Sequence, residues 1–172
     1  MNGMWRGGRL SEQTVQPVWF NTQLEYAAAL DTLLQTAQRS IRIVDWDLSD
    51  GGYAQPERIL LLNDFCKQGT GRQIRILLAD DMWLKNYAGQ LMQLLKVWGH
   101  VLQIRVRENE PPPAQDCFVL VDDYGVLKRF DKDHPKGVMY LHSRGDVVDL
   151  GLRFDSEWER APGLISARTL GL

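Results

Sequence analysis

Five aspartates follow two apolar runs: Asp45, Asp47 and Asp50 after Ile41-Arg42-Ile43-Val44, and Asp80 and Asp81 after Ile74-Arg75-Ile76-Leu77-Leu78. Carboxylates grouped in this way hold divalent cations through oxygen ligands. They also cap helices and close turns, the commonest work of Asp and Ser in loops, and that reading assigns no metal ligand set and no cofactor. Asp47 and Asp50 are the two most worth testing as ligand-binding residues. A second set is basic. Arg105 and Arg107 alternate with apolar residues, and Arg58, Arg129 and Arg144 are placed to converge with them on a phosphate or carboxylate in bidentate fashion. Solvated strand faces produce the same alternation.

The histidines are His100, His134 and His142. Only His134 stands two residues before a lysine, in Asp133-His134-Pro135-Lys136, which makes His134 and Lys136 the one pair with the spacing of a nucleophile and a charge-neutralising partner. A loop reading of that segment competes with the catalytic one. Cys66 and Cys117 have no neighbouring cysteine and read as small buried hydrophobes.

The elements that must position these residues follow from periodicity and punctuation. Residues 1–20 read as a loosely ordered arm. Thr22 and Glu25 form a capping box for a helix reaching about Gln38, with Leu24, Ala27, Ala28, Leu30, Leu33 and Leu34 as its apolar face. The run 41–44 is a strand, and its exit loop of Asp, Ser and Gly leads to a helix opened by Pro56 and carrying Ile59, Leu60, Leu62 and Phe65 toward Cys66. Residues 74–78 form a second strand, 82–98 a third helix stopped by Gly99, and 101–106 a third strand. Strand, helix, strand in this order predicts parallel pairing.

Prolines 111–113 break the chain. Phe118-Val119-Leu120-Val121, the turn 122–125 and Val126-Leu127-Lys128-Arg129-Phe130 then predict an antiparallel hairpin, followed by a weaker strand at 138–141 and a last helix at 147–158. The domain spans residues 21–160, and 161–172 form a tail. The class is α/β, a mixed sheet flanked by helices in a single domain, as 172 residues and 44% hydrophobic content lead one to expect.

Composition excludes little but directs the search. A formal charge of -2 exerts no general pull on nucleic acid or anionic lipid, so nucleic acid is not the favoured partner. The opening residues carry no apolar signal core, and no stretch approaches the roughly 18 apolar residues of a spanning helix, so the expected compartment is the cytoplasm. Trp46, Trp83, Trp98 and Trp158 are spaced among leucines as core residues are, whereas Trp5 and Trp19 near the arm are better placed for an exposed contact or a dimer interface.

The order of elements, with strands closing on Asp45, Asp80 and Asp122, resembles a single phospholipase D-like unit over residues 21–158. Within it, Asp116-Cys117-Phe118-Val119-Leu120-Val121-Asp122 resembles that superfamily's catalytic strand, where a His-x-Lys pair precedes an aspartate five residues after the lysine. Asp122 fits the closing aspartate. The histidine and lysine positions hold Gln115 and Cys117, and no Gly-Ser-x-Asn follows. The string from Trp46 through Tyr53 to Arg58, with Arg129-Phe130 and Arg153-Phe154-x-x-x-Trp158, is similar to a short bacterial phospholipase D-like family of unknown function.

The resemblance implies a fold and, with its reactive pair gone, a catalytically degenerate module that binds a phosphate-bearing or acidic ligand or a protein partner. Its ligand-binding set is Asp47, Asp50, Arg58, Arg105, Asp116, Asp122 and Arg129. Working members join two motifs across a pseudo-twofold, which makes a homodimeric phosphodiesterase or nuclease using His134, Lys136 and Asp122 the alternative. A third reading is an adaptor that displays the arm or the proline segment at 110–113.

Overall fold

The structure is a computed structural model and describes residues 16–166. One eight-stranded mixed sheet organises them. Its strands are β1 (Val18–Phe20), β2 (Ser40–Asp45), β3 (Gln73–Leu78), β4 (Leu102–Val106), β5 (Cys117–Val121), β6 (Gly125–Asp131), β7 (His134–Tyr140) and β8 (Leu164–Ile165). The spatial order is β1-β7-β6-β5-β2-β3-β4-β8, in which β2, β3 and β4 run parallel and every other pairing is antiparallel. The helices are α1 (Gln23–Gln35), α2 (Pro56–Lys67), α3 (Met82–Tyr87), α4 (Gly89–Val97) and α5 (Arg144–Arg160).

Two apolar layers lie on opposite faces of the sheet. On one, Ile41, Ile43, Ile74, Ile76, Ile104, Val119 and Leu127 meet α1, α2, α3 and α4. On the other, Val44, Leu77, Phe118, Leu120 and Val126 meet Val147, Phe154 and Trp158 of α5. Central strands buried on both sides explain the near-continuous apolar runs of β2, β3 and β5.

The hydroxyl half of the capping box is present: the Thr22 hydroxyl oxygen accepts from the Glu25 amide at 3.1 Å, while the Glu25 carboxylate accepts from that hydroxyl. The buried stripe of α1 is Tyr26, Ala29, Leu30, Leu33 and Leu34. Leu24 and Ala28, expected on that face, lie outside it. The third helix expected at 82–98 divides at Ala88 into α3 and α4, because Ala88 leaves helical geometry (φ -111, ψ 44) ahead of Gly89. Val18–Phe20, expected within the loose arm, pairs with Gly137–Met139 as an edge strand, and Leu164–Ile165 of the tail pairs with β4 at the other edge. Trp5 and the rest of 1–15 lie outside the described residues, as do 167–172.

Candidate functional site

At the carboxyl end of β2 the chain builds a polar cleft of about 390 Å³. Asp45 closes β2 and is 3% exposed. Its Oδ2 accepts the Leu48 amide at 2.6 Å, which holds the loop 46–50 against the sheet and places Leu48 in the left-handed region at φ 68. Antiparallel pairing of β5 on β2 brings Cys117 beside it, and the thiol hydrogen-bonds to the carboxylate. Burial is the leading cause that lifts the Asp45 carboxyl to about 6; the Leu48 and Cys117 hydrogen bonds and the Arg129 charge oppose it. Burial first, and then the charge of Asp45, hold the Cys117 thiol well above its ordinary range. That thiol is protonated and enclosed, the reverse of a reactive cysteine.

Arg129 of β6 is the ladder partner of Cys117 and is 2% exposed. Its Nη2 donates to Asp50 Oδ2 at 2.7 Å and to the Lys132 carbonyl at 2.6 Å, and its Nε donates to the His134 carbonyl at 3.0 Å. The guanidinium also lies over the Tyr26 ring at 5.1 Å. Despite burial, the Asp50 hydrogen bond and neighbouring acidic groups keep Arg129 charged, shifted upward from its ordinary value. Asp47 spends one oxygen on the Ser49 amide and hydroxyl, and Lys132 spans Asp133 and the Trp46 ring at the rim. This end of the sheet therefore carries a protonated thiol and an ion pair whose arginine is buried and whose Asp50 is, like Asp47, half exposed. Among the described residues no three His, Cys, Asp or Glu side chains converge as a metal site would require.

The sequence-derived set does not come together in one place. Asp47, Asp50 and Arg129 share the cleft. Arg58 of α2 is buried under the same loop, where it donates to Asp31 at 2.6 Å and to the Gly51 carbonyl at 2.8 Å. Asp122 sits at the opposite end of β5 from Cys117, about 17 Å of extended chain away. There, at φ 51, it accepts the amides of Gln38, Arg39 and Ser40 at 3.0, 2.7 and 2.9 Å, clamping the turn that feeds β2. Asp116, on the other side of β5, is gripped by both terminal nitrogens of Arg153 at 2.8 Å each, and that ion pair draws its carboxyl below its ordinary value against the cost of burial. Arg105 lies under α5, donating to the Trp158 carbonyl at 2.8 Å.

His134 and Lys136, expected in a loop, open β7 instead. His134 is 71% exposed and its Nδ1 stands 3.5 Å from Asp131 Oδ1. Lys136 is exposed. The proline between them is tolerated because β1 covers only Gly137–Met139, so this half of β7 is an open edge. Arg144 sits on the Tyr124 ring, on which His142 also stacks, far along the sheet from the cleft. The role of Asp45 is not legible in the sequence: among five aspartates nothing local marks the one whose neighbours are mostly distant in the chain.

The sequence profile of the family described as "Domain of unknown function (DUF7931)" matches residues 22–170. No curated protein matches. Among solved structures, the chain is similar to Nuc, a phospholipase D family member from Salmonella typhimurium, at 15% identity and a TM-score of 0.63, covering 89% of this chain and 98% of that one. NucT from Helicobacter pylori matches at 11% identity and a TM-score of 0.58, over 87% and 99%. TrmBL2, an archaeal chromatin protein whose structure shows a mode of DNA binding, matches at 13% identity and a TM-score of 0.65, over 90% of this chain and 55% of that one. At these identities the likeness is one of fold. No helix among the described residues is long and apolar enough to cross a membrane. The chain thus belongs to the DUF7931 domain family and has the fold of phospholipase D family members.

Proposed function

We propose that this chain is a phospholipase D-like module in which phosphodiester hydrolysis has given way to binding, the ligand being phosphate-bearing or otherwise acidic. The observation that carries the reading is the pair Cys117 and Arg129. They face each other on β5 and β6, Cys117 in the position where the resemblance calls for a lysine; both are buried, the thiol beside Asp45 and the Nε and Nη2 of Arg129 engaged by Asp50 and two carbonyls. A buried, protonated thiol and a guanidinium are both poor nucleophiles, so neither is equipped to attack a phosphorus centre. Gln115, in the histidine position, lends its carbonyl to the Lys132 amide and has no nucleophilic atom to offer.

The hydrolytic alternative draws on one observation, the exposed His134 beside Asp131, an acid-oriented imidazole of the kind that general bases use. Assays of bis(p-nitrophenyl) phosphate and of DNA, with and without Mg²⁺, on wild type and His134→Ala decide between the two. The expected result is no release above buffer from either protein. Turnover by wild type that His134→Ala abolishes overturns the proposal.

A further inference from the structure

Three arginines emerge on the sheet face that α5 covers. Arg42 of β2 and Arg75 of β3 are direct ladder partners, about 4.8 Å apart at the backbone as adjacent strands are. Gln103 of β4 extends the row, and Arg105, two residues on, points to the same face. Their neighbours Ile41, Ile43, Ile74, Ile76 and Ile104 are fixed in the opposite layer, so the two-residue period leaves the arginines no other side. All three are half-buried and have lost part of their hydration.

Like charges placed directly opposite each other weaken a ladder unless an acid lies between them. Here acids are scarce. Arg42 reaches only Asp155, at 3.9 Å, and that carboxylate is 60% exposed. Arg75 has neither ion pair nor hydrogen bond among the described residues; its Nε is buried without a partner, and the guanidinium rests over the Trp158 ring at 5.6 Å. Arg105 lies over the same ring at 4.5 Å, gives one N–H to the Trp158 carbonyl and leaves its Nε unmet. One distant carboxylate for three guanidiniums is a deficit of acceptors.

The helix above comes down close on this row. Gly151, in the interior of α5 where glycine is unfavourable, passes Arg42 so closely that a Cβ would lie 2.9 Å from Nη1. Alongside runs a shallow cleft of about 370 Å³ that opens on Arg42, with Arg144, Gly151 and Leu152 on its walls and Asp123 and Asp155 at its border; it reaches the row of arginines at Arg42 alone.

We propose that Arg42, Arg75 and Arg105, with Gln103, form a site for a phosphate monoester group on the α5 side of the sheet, distinct from the Asp45–Arg129 cleft. This rests on the binding reading above and says where the ligand sits. A phosphate has enough oxygens to bridge several guanidinium forks, whereas a carboxylate is used up by one. Nucleic acid fits less well: Phe154 and Trp158 are enclosed under α5 and offer no face for base stacking, and the net charge of -2 gathers no polyanion.

Thermal unfolding of the full chain in sodium phosphate, against sodium chloride of equal ionic strength, tests this. At phosphate ten times its Kd, binding to the folded state raises Tm by roughly 3–6 °C. Arg75→Gln and Arg42→Gln are each expected to weaken phosphate binding at least tenfold by calorimetric titration, and Lys96→Gln, on the far face, to leave it unchanged. Without phosphate, Arg75→Gln is expected to match or exceed wild-type Tm, since it removes one of two facing charges. A wild type that phosphate does not stabilise beyond chloride, or an equal response in Arg75→Gln, overturns the site. Benzoate binding as tightly as phenyl phosphate overturns the phosphate assignment. Turnover in the phosphodiesterase assay refutes the non-hydrolytic reading and leaves this titration to be read on its own terms.

Discussion

Asp45→Asn isolates the electrostatic cost stored at the cleft. In the folded chain the Asp45 carboxyl is raised to about 6 from its ordinary 3.8, with burial the largest cause. The folded state therefore holds a proton that the unfolded state has released between those two values. The sign follows: where the folded state binds more protons, stability falls as pH rises, and the loss is complete above pH 6. At about 1.4 kcal/mol per tenfold change in proton affinity, the charged form costs the folded protein about 3 kcal/mol at pH 7. Asparagine keeps an oxygen to accept the Leu48 amide, and its NH₂ can turn to the Cys117 sulfur, so the variant replaces the charge and little else. Urea unfolding of both proteins at pH 4 and pH 7 reads the difference. Wild type and variant are expected to agree within about 1 kcal/mol at pH 4, and the variant to be more stable by about 3 kcal/mol at pH 7, a midpoint shift of roughly 1–1.5 M urea. Comparing the two proteins cancels Asp116, Asp131 and Asp146, whose lowered values act in the opposite sense. A wild-type-minus-variant difference that is flat with pH, or that grows in favour of wild type, would refute the reasoning.

Two further outcomes test the frame that holds the cleft. Asp122→Ala strips the acceptor from three amides and puts alanine at φ 51, so it is expected to cost about 2–4 kcal/mol in urea unfolding, with Asp122→Asn recovering about half; no loss in the alanine variant would show that the clamp is idle. Gly137→Ala drives a methyl into the Lys128 carbonyl and the Phe20 ring where β1, β6 and β7 meet, so a fall in Tm of at least about 6 °C is expected, and a fall under about 2 °C would mean that β1 detaches at little cost.

What can be read from the sequence is local. β2, β3 and β5 announce themselves because both faces of the sheet are covered, which turns them into apolar runs, and the interposed helices fix the parallel sense of β2 and β3. The Thr22 cap and Pro56 start are contacts within four residues. The misses are long-range or compositional. β1 is three residues whose partner lies some 120 positions later, and nothing near Val18 reports that. The leucine spacing of 84, 91, 94 and 95 runs through Ala88 without interruption, so the helix break had only Gly89 to mark it. Leu24 has a core residue's type but lies with Ala28 on the side of α1 opposite the stripe of Tyr26, Ala29, Leu30, Leu33 and Leu34. The segment His134-Pro135-Lys136 reads as a loop because it follows the hairpin, yet it opens β7, where at the uncovered end of an edge strand no donor is needed from Pro135.

The site shows the same division. Asp47, Asp50 and Arg129 are conspicuous by type and do share a cleft, but type cannot separate a group that faces a ligand from one that props a loop. Arg58 has the same residue type as Arg129 and instead holds Asp31 and the Gly51 carbonyl; its burial follows from its position on the inner face of α2, four residues before Leu62. The reverse error concerns Arg42 and Arg75. Each lies between two isoleucines, a pattern that says only that the arginine faces away from one apolar layer. That they are neighbours depends on register, which pairs Ile41 with Ile74 and so sets the two arginines opposite each other on the ladder, on the same face. The repeated Ile-Arg-Ile of two adjacent strands is nonetheless plain in the amino-acid sequence itself. Once those strands are taken as parallel neighbours with equal lead-in, the repeat implies a charged pair that something must neutralise.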